Sequence, residues 1–197
     1  ILGAILGYAE MAKEDCQPGS YAARDVDQIL HAGNRARELV KQILAFSKPS
    51  QEGFRPTDLT LVITEVIGLM EVSLPGNIEL RSHISPDAGI ILADPTQLYQ
   101  AAMNLCTNAF QALREHGGRL QIRLERSILA REEAHALNLK EGSHVQITVA
   151  DDGPGIPAEI INKIFDPFFS TKDKTEGTGL GLAVVHGIVK AHQGGVK

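Results

Sequence analysis

The chain has 197 residues, of which 43% are hydrophobic, so it can bury the core of one large or two small domains. It carries 19 basic and 24 acidic residues, and the net charge of −5 argues against a general nucleic-acid binder. The two cysteines, Cys16 and Cys106, lie far apart in sequence. This spacing argues against a disulfide framework and favours a reducing compartment.

The first predicted element is a helical hairpin. Residues 1–15 place their apolar side chains on one helical stripe, and a second stripe extends from Val26 to Phe46. A turn containing Pro18 and Gly19 separates them. Such a hairpin cannot bury both of its faces alone, so we expect residues 1–47 to pair with a second copy in a four-helix bundle. The alternative is a hairpin that packs on the second domain of its own chain.

A second domain is predicted from residue 54 to residue 197, because residues 48–53 are polar, contain Pro and Gly, and are typical of a linker. Asp58 is the expected N-cap of a helix that continues to about Val72. Strands are predicted near residues 78–84 and 89–92. Asp94 and Pro95 then begin a helix that continues to Arg114.

The rest of this domain is predicted to alternate strands and a helix. Apolar and polar residues alternate at 120–124 and at 144–150, which indicates two strands, and Asp151 lies at the tip of the second. The charged residues 129–142 are predicted to be a solvated surface insertion, and residues 180–192 a helix. Together these elements predict an α+β fold: a helical hairpin, then an α/β sandwich whose mixed sheet is covered by helices on one face.

A glycine-rich segment precedes the last helix and indicates a phosphate site. The sequence Gly177-Thr178-Gly179-Leu180-Gly181 opens directly into that helix. Free backbone N–H groups at a helix start suit phosphate oxygens, and glycines allow close approach of a ligand. An ordinary turn is the alternative for such a segment alone, as it is for Asp151.

Two asparagines strengthen this interpretation. Asn104 and Asn108 lie one turn apart on the same face of the predicted 97–114 helix, although asparagine is a poor helix former. Magnesium accepts a neutral carbonyl oxygen as one ligand, so Asn108 is a candidate for holding it. Otherwise the two side chains bond to each other or to solvent.

The segment between residues 157 and 176 has the length of a functional lid. Phe165, Phe168 and Phe169 are candidates for clamping it, although Phe165 is equally compatible with an ordinary core position. Lys172 and Lys174 are close enough in sequence to reach a terminal phosphate, whereas loop lysines are usually just solvated.

Four motifs in order resemble the boxes of sensor histidine kinases, which share the ATP-binding fold of DNA gyrase, Hsp90 and MutL. Residues 104–109 resemble the N box, residues 151–155 the G1 box, residues 165–169 the F box and residues 177–181 the G2 box. The set extends over residues 97–195. The resemblance implies a protein-histidine kinase of a two-component signalling system, with ATP and magnesium as cofactors and a response regulator receiver domain as partner.

The resemblance also implies roles for individual residues. Asp151 would accept a hydrogen bond from the exocyclic amine of adenine, Asn108 would hold magnesium, and Lys172 would neutralise developing charge. Asn104 stands where gyrase-like relatives carry a base, and an amide cannot act as one, which favours transfer to a histidine over hydrolysis. The remaining implied nucleotide-binding residues are Gly153, Gly155, Phe168, Gly177, Thr178, Gly179, Leu180 and Gly181.

The resemblance implies that the acceptor histidine lies about a turn upstream of Ile1, because residues 1–6 are similar to the run just after the family's H box. The sequence has no initial methionine, and the family continues with further strands after residue 197, so we expect a longer parent protein. That parent is expected to be cytoplasmic, with any membrane anchor in segments outside residues 1–197. The alternatives are a gyrase- or chaperone-type ATPase, a degenerate nucleotide-sensing scaffold and a serine-directed protein kinase of the same fold.

Overall fold

A computed structural model of the chain describes residues 2–17, 19–30, 32–34, 53–171 and 178–197. The chain divides into two compact units, residues 1–48 and residues 49–197. Across the described ranges, no helix is both long enough and apolar enough to cross a membrane.

Two helices form the described part of the first unit. Helix α1 spans Leu2–Glu14, and helix α2 contains residues 21–30 and 32–34. The hydroxyl of Ser20 accepts a hydrogen bond from the backbone N–H of Ala23 at 3.1 Å, which caps the start of α2. Leu6 of α1 is buried, and a Cβ on Gly33 would stand 2.6 Å from its Cδ2. The missing side chain at Gly33 therefore lets the two helices approach closely.

The remainder of the second apolar stripe, residues 35–46, lies outside the described residues.

The second unit contains both helices and strands. In chain order these are β1 (Arg55–Asp58), α3 (Leu59–Ser73), β2 (Ile78–Ile84), β3 (Ile90–Ala93), α4 (Pro95–Leu113), β4 (Gly118–Leu129), α5 (Arg131–Ala136), β5 (Gly142–Asp151), a 3-10 turn (Ile161–Lys163) and α6 (Gly181–Ala191).

Side-chain hydrogen bonds cap the N-termini of the two longest helices described in this unit. Asp58 accepts a hydrogen bond from the backbone N–H of Thr60 at 2.9 Å and caps α3. Asp94 accepts hydrogen bonds from the second and third residues of α4, and Pro95 occupies the first helical position. Both predicted helix starts are confirmed.

The sheet of the second unit is mixed, as predicted. Its order is β2-β4-β5, with β2 parallel to β4 and β4 antiparallel to β5, while β1 and β3 form a separate antiparallel ribbon. The core packs α3, α4 and α6 against Leu120, Ile122 and Leu124 on one face of the sheet. Glu79 and Arg119 form an exposed ion pair on the other face. Among the described residues, the core helices cover this one face of the sheet, which confirms the predicted α+β arrangement.

One segment differs from its predicted character. Residues 129–142 contain helix α5, and the side chains of Leu129 and Ala134 are buried rather than solvated. The charged residues Arg131, Glu132 and Glu133 dominate the sequence here, and this charge led to the prediction of a solvated insertion. Leu129 ends β4, and the single buried residue of so short a helix, Ala134, cannot produce a recognisable periodicity.

Candidate active site

One face of α4 connects the two glycine-containing loops of the second unit. We call Asn104, Asn108 and Ala112, which follow one another at intervals of four residues, the α4 stripe. At one end, the Asn104 Nδ2 donates a long hydrogen bond of 3.4 Å to the carbonyl oxygen of Gly181. At the other end, a Cβ on Gly153 would stand 3.2 Å from the Cβ of Ala112. The stripe spans about 12 Å between these contacts.

Asn108 lies in the middle of the stripe, beside the first residue of α6. A Cβ built on Gly181 would stand 3.6 Å from its Nδ2 and 3.7 Å from its Oδ1. The N-cap position of α6 is Leu180, which makes no side-chain capping bond. The first N–H groups of this eleven-residue helix therefore have no side-chain cap from that position, and its first residue, Gly181, lies beside Asn104 and Asn108.

Asp151 is the last residue of β5, where its backbone pairs with Leu120 of β4. Its side chain is exposed, and its Oδ1 accepts a hydrogen bond from the backbone N–H of Gly153 at 3.0 Å. A Cβ on Gly153 would stand 2.7 Å from that same oxygen. Glycine at 153 therefore allows the loop to fold back onto the carboxylate while it also contacts the α4 stripe.

Asp152 extends the pairing of β4 and β5 by one residue. Its Oδ1 accepts the backbone N–H of Arg119 at 2.5 Å, and its own N–H donates to the Arg119 carbonyl at 3.2 Å. A Cβ on Gly118 would collide with this carboxylate, and the φ of +134° at Gly118 also favours glycine. Hydrogen bonds to the Arg119 backbone thus fix the position of Asp152, next to Asp151. The sequence motifs did not predict this structural role. The only sequence signals for it are the adjacent Asp pair and Gly pair.

A shallow cavity of about 120 Å³ lies beside these two aspartates. Arg119, Gln121 and Ala150 complete its lining. Arg119 also donates from its Nε to Glu79 at 3.2 Å. Hydrogen bonds from Arg81 and Arg119 hold the pKa of Glu79 below its ordinary value, on the sheet face that carries the exposed Glu79–Arg119 ion pair.

A backbone hydrogen bond links Phe168, inside the 157–176 segment predicted as a lid, to Gly179, which follows that segment. The backbone N–H of Phe168 donates to the carbonyl oxygen of Gly179 at 2.9 Å. Both residues have positive φ, +68° at Phe168 and +65° at Gly179, and a Cβ on Gly179 would collide with the Phe168 backbone. Glycine at 179 is therefore required by both its conformation and this contact.

The three phenylalanines of this segment differ in environment. The side chain of Phe168 is 72% exposed, whereas Phe165 and Phe169 are half-buried, and Phe165 stacks on His186 of α6 with ring centroids 5.4 Å apart. Phe165 thus packs the middle of the predicted lid segment against α6.

The remaining predicted site residues are divided between described and undescribed parts of the chain. The Thr178 hydroxyl accepts the backbone N–H of Leu180 at 3.3 Å, and Leu180 is buried. Gly155 has a φ of +74° with open space where a side chain would begin. Lys172 and Gly177 lie outside the described residues.

The donor groups at the α4–α6 junction fit a magnesium ion that arrives with a nucleotide. Within the described residues, no three His, Cys, Asp or Glu side chains are grouped so as to hold a metal ion by themselves. Asn108 offers one neutral carboxamide oxygen next to the start of α6. Magnesium at nucleotide sites takes most of its ligands from phosphates and water, so a single protein oxygen suits it.

Comparison with known proteins identifies a family over the second unit. Residues 93–197 match the family described as histidine kinase-, DNA gyrase B-, and HSP90-like ATPase. Over 194 residues the chain is 38% identical to the sensor kinase CckA of Brucella abortus (strain 2308), an alignment that covers 96% of this chain and 20% of that relative. The chain thus spans a minor part of the relative's length.

Two solved structures share the fold. Full-length ShkA in complex with AMPPNP superposes with a TM-score of 0.69 at 25% identity, covering 96% of this chain and 38% of ShkA. The histidine kinase ThkA in complex with the response regulator protein TrrA superposes with a TM-score of 0.62 at 26% identity, covering 98% of this chain and 51% of ThkA.

Proposed function

The chain belongs to the histidine kinase-, DNA gyrase B-, and HSP90-like ATPase family, and from this premise we propose that it is the catalytic part of a sensor histidine kinase. In this proposal it binds ATP with magnesium and directs the terminal phosphoryl group to a histidine. The phosphoryl group then passes to an aspartate of a response regulator.

The contacts of the α4 stripe carry this proposal. They bring an exposed carboxylate loop to one end of this helix face and the start of α6, whose N-cap position Leu180 makes no side-chain capping bond, to the other. A nucleotide presents matching groups at its two ends. Its base offers hydrogen-bond donors to the carboxylate, and its negatively charged phosphates suit the N–H groups at the helix start. ShkA, which has the same fold, is in complex with an ATP analogue, AMPPNP.

Asp151 is proposed to read the base. Its carboxylate only accepts hydrogen bonds, so it pairs with the exocyclic amine of adenine and repels the carbonyl that guanine has in that place. Its Oδ1 is already engaged by Gly153, and this contact orients the carboxylate before a ligand arrives.

The phosphate end is assigned to the start of α6 and to Asn108. Backbone N–H groups of the segment 178–181 would donate to phosphate oxygens, and Lys172 would add a positive charge. Magnesium would be held by the Asn108 oxygen and the phosphates, where it neutralises charge on the transferring group.

Asn104 favours transfer to a histidine over hydrolysis of ATP. Its side chain donates through Nδ2 to Gly181, and an amide has no basic group that could activate water. We place the acceptor histidine upstream of Ile1, on the resemblance of residues 1–6 to the run after the H box.

Two partners complete the proposal. A response regulator is supported by the ThkA complex with TrrA. A second copy of the chain is proposed to pair through residues 1–47, so that the hairpins form a four-helix bundle.

Calorimetric titration with ATP and GTP tests the base assignment. We expect wild type to prefer ATP and Asp151→Asn to lose about tenfold or more of that preference, because the amide can also donate to a guanine carbonyl. Asp87→Asn is the matched control, since Asp87 is an exposed loop carboxylate bonded to Ser85. Equal affinity of wild type for both nucleotides would contradict the adenine assignment, and no binding of ATP would contradict the proposed function.

A further inference from the structure

Helices α4 and α6 are joined by polar contacts at two places. Next to the candidate site, Asn104 of α4 donates to the carbonyl oxygen of Gly181, the first residue of α6. Far from the site, the Nε2 of His192 accepts the backbone N–H of Asp94 at 3.0 Å. His192 directly follows α6, and Asp94 is the N-cap of α4. The two helices are therefore antiparallel, with a hydrogen bond at each end of the length that they share.

The two hydrogen bonds form together at one particular offset of α4 and α6 along their axes. About 15 Å of helix separate Asp94 from Asn104, and about 16 Å separate Gly181 from His192. The interface between the contacts is apolar, with Ala101 and Ala102 of α4 and Val184 and Ile188 of α6 in the buried core. Apolar burial is non-directional and does not distinguish neighbouring registers. The polar contacts at the two ends are directional and add to the packing in specifying one register.

The imidazole of His192 is held in a single tautomer. Its Nδ1 lies 2.8 Å from the carbonyl oxygen of Ile188, which can only accept, so Nδ1 carries the hydrogen. Its Nε2 faces the N–H of Asp94 and therefore acts as the acceptor. Phe54, just before β1, covers the ring with centroids 4.6 Å apart. Three parts of the second unit thus fix the orientation of this one side chain.

We propose that His192 is a positioning residue for the phosphate end of the nucleotide site. By fixing the end of α6 to the start of α4, it keeps Gly181 beside Asn108, although it lies about 16 Å of helix away from Gly181. The inference rests on the proposed function, because it concerns the same site. The base end of that site depends on Asp151 of β5, which His192 does not contact. Loss of His192 therefore weakens phosphate binding and leaves recognition of the nucleoside unchanged.

The experiment compares two ligands that differ only in phosphates. Affinity for ATP is measured by calorimetry and affinity for adenosine by NMR titration, on the 197-residue chain. His192→Leu retains most of the side-chain volume and removes both hydrogen bonds, and we expect about a tenfold loss of ATP affinity with adenosine affinity unchanged. His192→Gln is expected to restore most of the ATP affinity, because its carboxamide oxygen can accept the Asp94 N–H. His83→Leu, at an exposed position of β2, is the control and should match wild type.

Each outcome supports or overturns the positioning role. Unchanged ATP affinity in His192→Leu would overturn it, and so would an equal loss for ATP and adenosine, which would indicate general loosening of the unit. If His192→Leu does not fold, His192→Asn replaces it, since the shorter amide reaches Ile188 but not Asp94 and should bind ATP less tightly than His192→Gln. Equal ATP affinities of the Asn and Gln variants would then overturn the inference. A wild type that binds no ATP would instead overturn the proposed function, and the inference with it.

Discussion

At the scale of single residues, α4 has one face that carries Asn104 and Asn108 and another that is deeply buried. Cys106 lies between Asn104 and Asn108 in sequence, yet its side chain is fully buried in the core. Burial raises the pKa of its thiol from an ordinary 9.0 to about 12, because the thiolate would lose its hydration there. Cys16 of the hairpin is partly exposed. The two cysteines should therefore differ strongly in reactivity.

We expect a maleimide at pH 8 to label Cys16 in the folded chain and to label both cysteines in concentrated urea. Mass spectrometry of the peptides distinguishes the two sites, and Cys16→Ala should leave the folded chain unlabelled. Because the folded pKa of Cys106 is raised, the free energy of unfolding should also fall as the pH rises from 9 to about 12, and Cys106→Ala should reduce that fall. Equal labelling rates at both sites in the folded chain would contradict this account.

At the scale of elements, the hairpin leaves much apolar surface uncovered within its own unit. Leu6 and Ala9 are buried, whereas Ile5, Tyr8 and Met11 of α1 are exposed. Ile29 of α2 is also exposed. Ile5 and Ile29 are already about half-buried, so covering each contributes about 1 kcal/mol, and a two-fold pairing that covers several such side chains is favourable.

Charged substitutions on this surface should separate the proposed dimer. We expect the double variant Ile5→Asp, Ile29→Asp to be monomeric in multi-angle light scattering at micromolar concentration while wild type is dimeric. The fold of each chain should persist, because neither side chain is in the described core. Leu61→Asp is the control: Leu61 is an exposed apolar residue of α3 in the second unit, and this change should leave the dimer intact. A wild type that is monomeric under these conditions would rule out pairing through the hairpin.

At the scale of the whole molecule, phosphoryl transfer needs the acceptor held in line with the terminal phosphate. The second unit supplies the candidate nucleotide site, and the proposed acceptor histidine precedes Ile1. On the proposed function, binding of ATP and chemistry on a histidine are therefore separable.

We expect residues 1–197 to bind ATP without becoming labelled by ATP that carries radioactive phosphorus in its terminal phosphate. A longer version that includes the upstream histidine and the segment after residue 197 should incorporate label. That label should be lost in acid and retained in alkali, as a phosphorus–nitrogen bond to imidazole requires. Asn108→Ala in the longer chain should abolish labelling, since the proposed magnesium ligand is removed. Stable labelling of residues 1–197 alone would contradict the placement of the acceptor.

Much of this molecule follows from short-range sequence patterns. The caps at Asp58 and Asp94 are local, because an aspartate side chain bonds N–H groups two or three residues away. The alternation at 120–124 and the stripe of α6 likewise reflect one buried face each. The four motifs were sufficient to predict the family and the α+β fold for the same reason, since each motif is a contiguous segment.

Only the tertiary structure decided how these segments meet. The hydrogen bond from Asp94 to His192 joins residues that are 98 positions apart in sequence, and Asp152 bonds to Arg119 from the neighbouring strand. Nothing within a few residues of either side chain specifies its partner, because the partner depends on strand register and helix packing. The sequence by itself therefore determined which elements form and which residue types a nucleotide would need. Packing alone determined that the α4 stripe contacts Gly181 at one end and Gly153 at the other.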